Sequence, residues 1–208
     1  MVFANRIEAG ERLSEKLTPY KGTSAIVIGL ARGGVVVAST IAKKLTLPLD
    51  VASIKKVSPS YDPELALGAV APDAVTFRDY KLAQRLGIDD QYLQEEILNK
   101  SEQVKQKMQL YRKGKGPFSV EGKIVIVVDD GVATGATMEA AVKWLRKKKA
   151  KKIVAAIPVA TPAVMSALKP EVDELVVLET PHDFSSVGEF YTDFAPVEDT
   201  DVIQLLKL

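Results

Sequence analysis

Short, uninterrupted runs of apolar residues recur along the chain, at positions 25–30, 124–128, 153–158 and 175–178. Continuous hydrophobicity of this kind is typical of strands that are covered on both faces, as in a parallel sheet. Between the runs, residues 35–45, residues 138–145 and a segment that begins after Thr161 have the apolar spacing of helices. This alternation predicts an α/β fold of the doubly wound type, in which helices flank a mainly parallel sheet.

The middle and the end of the chain depart from this alternation. Further predicted elements are a strand at 49–57, a hairpin formed by 66–71 and 74–77 about Pro72 and Asp73, and a long helix at 89–113. The helix carries an apolar stripe of Leu93, Ile97, Val104, Met108 and Tyr111. We expect a single domain, 1–208, with residues 58–115 as an insertion that contains a mobile hairpin and the long helix. Residues 181–208 are expected to form a C-terminal hood whose last helix starts near Thr200.

Composition narrows the classes of function. The chain has 208 residues, 47% of them hydrophobic, which is enough for the core of one domain. Lysine and arginine (28) balance aspartate and glutamate (27), so we expect no nucleic acid partner. We expect no membrane partner, since no apolar run approaches the ~20 residues that span a bilayer. The absence of cysteine excludes disulfides and thiolate nucleophiles and fits a cytoplasmic location. The basic segment 143–152 is interpreted as a solvated helix end, with RNA binding as the weaker alternative.

The strongest chemical signal is the segment 124–137, IVIVVDDGVATGAT. Asp129 and Asp130 directly follow a strand, where burying carboxylates without hydrogen-bond donors or a cation is costly. The next residues are small or carry hydroxyls and lead into a helix, so backbone N–H groups and the helix dipole favour an anion. A Walker-type loop is disfavoured because Ala136 occupies the position of its lysine. A plain strand–turn–helix connection is the structural alternative.

This segment resembles the signature of the type I phosphoribosyltransferases, which bind 5-phosphoribosyl-1-pyrophosphate (PRPP). The resemblance implies that Asp129 and Asp130 bind the ribose hydroxyls and form the catalytic pair. It also implies that the following loop binds the 5′-phosphate, through Ala133, Thr134, Gly135, Ala136 and Thr137. The likeness extends over nearly the whole chain, because FANRIEAG, ARGG, DPELALGAV and PHDFSSVGEFYTDF resemble a bacterial and archaeal subgroup whose acceptor is commonly unassigned.

A second anion site is implied at the end of the first predicted strand. Arg32, Gly33 and Gly34 match the family's pyrophosphate loop, in which a cis peptide is expected within residues 30–33. Lys55 and Lys56 precede the predicted hairpin, and strand alternation points their side chains to opposite sides. Lys56 is assigned to the pyrophosphate, and two solvated lysines near a strand end are the alternative.

The hood is similar to that of the purine phosphoribosyltransferases. The resemblance implies that Phe184 stacks on the acceptor, that His182 lies in the acceptor site and that Asp193 lies near a magnesium ion, the implied cofactor. Ala133 stands where the hypoxanthine-guanine branch of the family has an aspartate, which leaves the general base open between His182, Asp183 and water.

The implied function is transfer of the 5-phosphoribosyl group from PRPP to a nitrogen acceptor, a purine-like base, with release of pyrophosphate. Two other functions are kept as alternatives. One is a regulator that senses PRPP or a nucleotide and performs no transfer. The other is a hydrolase or phosphorylase that acts on nucleotides. Assembly as a homodimer is left open.

Overall fold

The computed structural model describes residues 2–62, 65–116 and 118–207, which form eight strands and seven α-helices. The strands are β1 (Ile26–Ala31), β2 (Leu49–Ser53), β3 (Lys55–Val57), β4 (Gly68–Val70), β5 (Thr76–Arg78), β6 (Ile124–Val128), β7 (Lys152–Val159) and β8 (Glu174–Glu179). The helices are α1 (Arg6–Lys16), α2 (Gly33–Leu45), α3 (Tyr80–Arg85), α4 (Asp90–Tyr111), α5 (Ala136–Lys147), α6 (Pro162–Leu168) and α7 (Asp199–Leu205).

The main sheet has five parallel strands in the order β2-β1-β6-β7-β8. Alternate residues of its central strands face two separate cores: Ile28 and Val127 pack on one face, Val27 and Ile126 on the other. The predicted doubly wound α/β fold is therefore confirmed. β2, the next strand in the chain, pairs with one side of β1, and β6 pairs with its other side. The strand order therefore reverses at β1. Ligands of such sheets bind at the carboxyl ends of the strands beside this reversal.

The strand predicted over residues 49–57 is divided between two sheets. β2 is the edge of the parallel sheet, whereas β3 belongs to a three-stranded antiparallel sheet in the order β3-β4-β5. Ile54 lies between them. The apolar pattern is continuous through β2 and β3, and the two strands differ in their pairing partners, which are β1 and β4. The hairpin predicted about Pro72 and Asp73 is present, because β4 and β5 pair on either side of that turn.

The long helix α4 covers the small sheet. Leu93, Ile97 and Val104 of the predicted stripe are buried in a cluster with residues of β3 and β4. At the end of α4, Tyr111 packs instead against α7, in a cluster that contains Val202. The stripe thus packs within the chain. The mobility expected for the hairpin stays a prediction.

Helix α1 is an element that the apolar pattern did not predict. The Asn5 side chain caps it by accepting the N–H groups of Ile7 and Glu8. Gly10 lets α1 approach α2 closely, because a Cβ there would lie 2.7 Å from the Cβ of Thr40. The start of α1 is therefore held in place by both its cap and its packing.

Within the part of the chain that is described, none of the helices combines the length and the apolar character needed to cross a bilayer.

A buried ion pair ties α4 to the parallel sheet and generates a stability prediction. Arg112 donates to Asp50 through Nε (3.0 Å) and Nη2 (2.9 Å), and the side chains are only 15% and 10% exposed. Arg112→Met leaves the Asp50 carboxylate buried without its cation, so we expect a loss of about 3 kcal/mol in the free energy of unfolding. Urea denaturation measures it.

The matched control is Arg146→Met, which removes a cation from Asp173 in a pair that is 41% and 38% exposed. Exposed pairs contribute roughly 0–1 kcal/mol. Equal losses in the two variants would contradict the prediction.

Candidate functional site

Two loops that are distant in the sequence touch at the carboxyl ends of β1 and β6. Gly33 and Gly34 open α2, and Asp129 and Asp130 follow β6. A Cβ on Gly34 would lie 2.8 Å from the Cα of Asp129, and a Cβ on Gly33 would overlap the Asp130 carboxyl group. Any side chain at these glycines would push the loops apart. The structure therefore brings together two of the segments to which a ligand-binding role was assigned.

The turn that carries the glycines also contains Arg32. The peptide bond between Ala31 and Arg32 is cis, within the segment where the resemblance places such a bond. The Arg32 side chain is exposed, and its Nη1 lies 3.2 Å from Oε2 of Glu198, the residue that precedes α7. The guanidinium group of Arg32 is therefore accessible to solvent at this turn.

Asp130 is held by residues from both ends of the chain. Arg6, the first residue of α1, donates through Nε to Asp130 Oδ2 at 2.7 Å. The hydroxyl of Tyr191 donates to the Asp130 carbonyl oxygen at 2.6 Å. Arg6 was not among the predicted site residues, although it lies inside the FANRIEAG motif, because arginine side chains are mostly exposed. The motif itself was the only signal that could have found it.

Asp129 has a different environment from its neighbour. Its Oδ1 accepts the backbone N–H of Asp130 at 3.0 Å. Burial raises the pKa of Asp129 well above its usual value, and the negative charge of Asp130 raises it further, whereas the positive charge of Arg6 acts in the opposite direction. The two adjacent carboxyl groups are thus unequal, and this inequality is set by their surroundings.

The loop that follows the acidic pair is anchored at one point and open beyond it. The N–H of Val132 donates to the Val159 carbonyl at 2.9 Å, which ties the loop to β7. Ala133 and Thr134 are exposed, and Gly135 has a φ of 87° just before α5 begins. No side chain caps α5, so the N–H groups of its first turn point into the open loop. The predicted phosphate-binding residues, Ala133 to Thr137, form this helix start.

Lys55 and Lys56 are neighbours on β3, so alternation directs their side chains to opposite sides of the strand. Burial lowers the pKa of Lys55, and the positive charges of Lys107 and Arg32 lower it further, so Lys55 lies near the Arg32 turn. Lys56 borders a small cavity with Tyr92 and Lys100 of α4. The assignment of Lys56 to the pyrophosphate stays a prediction.

The hood covers the acidic loop with an aromatic cluster. Val187 lies so close to Gly131 that a Cβ on that glycine would overlap it. Phe184 is partly buried in the same cluster as Val187, and its ring centroid is 5.2 Å from that of Phe190. His182 precedes it on the chain and is exposed. Phe184 therefore belongs to the cluster that covers the loop, and the acceptor-binding roles of Phe184 and His182 stay predictions.

Asp193, the residue placed near magnesium, is exposed and accepts the Ala195 N–H at 3.1 Å. Among the residues that the structure describes, no group of three or more His, Cys, Asp or Glu side chains is arranged to hold a metal ion. Asp193 is therefore not part of a ready-made metal centre.

The basic segment 143–152 is largely neutralised by acids of the same chain. Four of its seven cations form ion pairs: Arg146 with Asp173, Lys148 with Asp73, Lys149 with Glu121 and Lys152 with Glu174. These contacts support the interpretation as a helix end.

A cavity of about 800 Å³ lies between α4, the turn at residues 72–74, Phe118 and Trp144 of α5. It contains none of the candidate site residues. Despite its volume, it lacks the converging N–H groups and paired carboxylates of the acidic loop. We therefore place the functional site at the acidic loop.

A model of the phosphoribosyl transferase domain matches residues 3–189. The chain belongs to this family. A Mycobacterium tuberculosis protein that is provisionally named a phosphoribosyl transferase is 33% identical over 205 residues, in two strains. The alignment covers 99% of this chain and 46% of that protein, so the chain spans about half the length of these curated relatives.

Two solved structures extend the comparison. The protein TT1426 of Thermus thermophilus is 38% identical, with a TM-score of 0.82, and the match covers 99% of this chain and 98% of that one. The purine phosphoribosyltransferase of Pyrococcus horikoshii is 21% identical with a TM-score of 0.52, over 95% and 96% of the two chains. The second match shows a shared fold.

The raised pKa of Asp129 gives a prediction for stability against pH. An unfolded aspartate titrates near ~3.9. The pKa of Asp129 is higher in the folded state. Between the unfolded and the folded pKa, Asp129 is therefore protonated in the folded protein and ionised in the unfolded chain. The free energy of unfolding falls as pH rises through this range. We therefore expect Asp129→Asn to be more stable than wild type at pH 7. The difference should shrink as pH falls below the raised pKa and vanish below the unfolded value.

Urea denaturation at several pH values measures this difference. Asp183→Asn, at an exposed position of the hood, is the control. An Asp129→Asn variant that is less stable than wild type at pH 7 contradicts the prediction.

Proposed function

We propose that this protein transfers the 5-phosphoribosyl group of PRPP to a nitrogen acceptor and releases pyrophosphate. The observation that carries the proposal is the contact between the Gly33–Gly34 turn and the Asp129–Asp130 pair, beside the uncapped start of α5. In this proposal, a bound ligand contacts two anion sites, the turn with Gly33 and Gly34 and the start of α5. The carboxylates of Asp129 and Asp130 lie between these two sites. That arrangement suits a ribose that bears a phosphate at one end and a pyrophosphate at the other.

The 5′-phosphate is assigned to residues Ala133 to Thr137. The N–H groups at the start of α5 have no side-chain cap, and the helix dipole adds a positive potential at that point. The hydroxyls of Thr134 and Thr137 provide further donors. Gly135, with its positive φ, lets the chain turn into the helix at this point.

The ribose hydroxyls are assigned to Asp129 and Asp130. A carboxylate oxygen accepts a hydrogen bond from a hydroxyl group. Such a charge-assisted hydrogen bond is stronger than one between neutral groups. Arg6 occupies Oδ2 of Asp130, and Oδ1 is assigned to the ribose. These bonds hold C1 of the ribose in a constant position relative to the two anion sites, which is the main contribution such a site makes to the rate.

The pyrophosphate is assigned to Arg32, Gly33, Gly34 and Lys56, and Lys55 is added as a further cation near Arg32. Lys55 lies close enough to Arg32 and Lys107 for their charges to lower its pKa. An anion bound between these cations would relieve that repulsion. Asp193 is the residue proposed to lie near magnesium, and most of the ion's ligands would come from the substrate. The ion would supply charge neutralisation on the leaving pyrophosphate.

The proposed reaction forms a bond between the acceptor nitrogen and C1 of the ribose, while the bond from C1 to the pyrophosphate oxygen breaks. The electron pair leaves with pyrophosphate, and the acceptor nitrogen loses a proton to solvent or to a base. Positive charge develops on the ribose ring in between. The nearby carboxylates stabilise this charge, so the chain contributes positioning and electrostatic stabilisation.

The acceptor is assigned to the hood, and we propose a planar, purine-like base. Phe184 is partly exposed beside the acidic loop, so its ring offers a stacking surface next to the ribose site. The Pyrococcus horikoshii protein that shares this fold is named a purine phosphoribosyltransferase. His182 is exposed next to Phe184 and can take up the acceptor's proton from there.

A transfer assay tests the proposal. The protein is incubated with PRPP, magnesium and single acceptors from a panel of purines, pyrimidines and amines, and pyrophosphate release is measured. We expect release with at least one purine and a loss of at least ~100-fold in kcat/KM for the double variant Asp129→Asn, Asp130→Asn.

The fold of the double variant is checked by circular dichroism. Tight PRPP binding by the wild type with no release for any acceptor would favour the sensor function. Absence of PRPP binding would reject both functions.

The role of Phe184 gives a separate prediction. Phe184→Ala removes the stacking surface, which is worth ~1–3 kcal/mol per base where such stacking has been measured. We therefore expect the KM for the acceptor to rise roughly 5-fold to 100-fold while the KM for PRPP changes little. Steady-state kinetics with each substrate varied in turn measures both.

Phe118→Ala removes another partly exposed ring, at the cavity between α4 and Trp144, and is the matched control. The hood assignment is wrong if the two variants have the same acceptor KM.

A further inference from the structure

Arg6 makes three contacts at the candidate site, one with the acidic loop and two with the hood. Its Nε donates to Asp130 Oδ2 at 2.7 Å, and its Nη1 donates to the carbonyl oxygen of Ala195 at 2.9 Å. The centre of its guanidinium group lies 3.8 Å from the ring centroid of Phe194. The Arg6 side chain is 11% exposed and that of Asp130 is 14% exposed. A planar guanidinium group can make all three contacts together, which a lysine ammonium cannot.

The position of Arg6 is set by structure outside the site. It is the first residue of α1, whose start is capped by Asn5 and whose body lies against α2 at Gly10. Backbone hydrogen bonds from Thr192 to Phe3 and from Asp193 to Ala4 join the segment before α1 to the hood. The N-terminal helix and the hood therefore hold the guanidinium group from two sides.

Arg6 is also the cation that faces the acidic pair. The titratable groups around Asp129 are Asp130 on its own loop, Tyr191 of the hood and Arg6 of α1. α2 presents Gly33 and Gly34 to the pair, and a Cβ on Gly33 would lie 2.9 Å from Arg6 Nε. Among the titratable groups named here, Arg6 is the one that brings a positive charge, so it opposes the repulsion between the carboxylates and a bound anion.

We propose that Arg6 is a positioning residue that orients the Asp130 carboxylate and keeps the acidic pair able to accept the ribose hydroxyls. This inference rests on the proposed ribose-binding role of that pair. Arg6 holds Oδ2, so Oδ1 is directed to the ligand, and Arg6 does not itself need to contact the ribose. The binding of a phosphate group alone, at the start of α5, does not involve this arrangement.

The test compares two ligands that share a phosphate and differ in the diol. Affinities for ribose 5-phosphate and for inorganic phosphate are measured by calorimetry for wild type, Arg6→Gln and Arg12→Gln. Arg12 lies on the same helix, pairs with Glu179 at 3.2 Å and stands 4.8 Å from the centroid of the Phe3 ring, so it is a matched control. General loosening of α1 would affect both variants and both ligands.

We expect Arg6→Gln to weaken ribose 5-phosphate binding by roughly tenfold or more, the effect of losing one charge-assisted contact. Inorganic phosphate binding should be unchanged, and Arg12→Gln should bind both ligands as wild type does. Unchanged ribose 5-phosphate affinity in folded Arg6→Gln overturns the proposal, and so does an equal loss for both ligands.

A second variant covers the case in which Arg6→Gln does not fold. Arg6→Lys keeps the charge but cannot reach Asp130, Ala195 and Phe194 together. It is expected to bind ribose 5-phosphate more weakly than wild type and more strongly than Arg6→Gln, with phosphate binding unchanged. Wild-type affinity for ribose 5-phosphate in Arg6→Lys, with Arg6→Gln unfolded, also overturns the proposal.

The pH dependence provides a readout that a purely structural role would not change. The positive charge of Arg6 lowers the pKa of Asp129, so Arg6→Gln should raise it and move the acid limb of ribose 5-phosphate binding to higher pH. Carbon-detected NMR of the Asp129 carboxyl group measures the same shift without ligand. If wild type binds neither ligand, the proposed function fails, and an Asp129 titration that is the same in wild type and Arg6→Gln still overturns the role of Arg6.

Discussion

Two adjacent carboxylates, Asp129 and Asp130, need hydrogen-bond or ion-pair partners, and the rest of this site depends on that requirement. Asp129 and Asp130 leave a buried strand together, where charges without partners are costly. Asp130 is stabilised by Arg6, and Asp129 by the backbone N–H that follows it. The glycines at the start of α2 leave room for both carboxyl groups. Helix α1, the turn that contains Gly33 and Gly34, and the hood are therefore packed around the acidic pair.

The parallel sheet explains why these segments meet where they do. β1 and β6 are neighbours with the same direction, so their following loops lie side by side at one edge. The strand order reverses there, which opens a crevice between helices on opposite faces. The large cavity beside Trp144 shows that open volume alone does not identify a site in this fold. The identifying features are the charges and N–H groups that converge at the acidic loop.

Much of the fold could be predicted from local patterns, and the failures have physical causes. The strand over residues 124–128 was predicted with its observed bounds because it is buried on both faces and followed directly by acids. Residues 49–57 were predicted as one strand because apolar periodicity records burial and not pairing, and the two halves pair in different sheets. Helix α1 was missed because its buried side includes Arg6, Gly10 and Ser14, which do not form an apolar stripe.

The sequence by itself determined the family, the sheet's buried strands and the loop that carries the acidic pair, because each of these depends on residues that are adjacent along the chain. Only the tertiary structure decided which cation faces that pair and that Lys55 lies near the Arg32 turn. Arg6 and Asp130 are 124 positions apart, and the direction of Lys55 depends on the sheet to which its strand belongs. Contacts of this kind follow from packing between elements, which no local pattern of residues records.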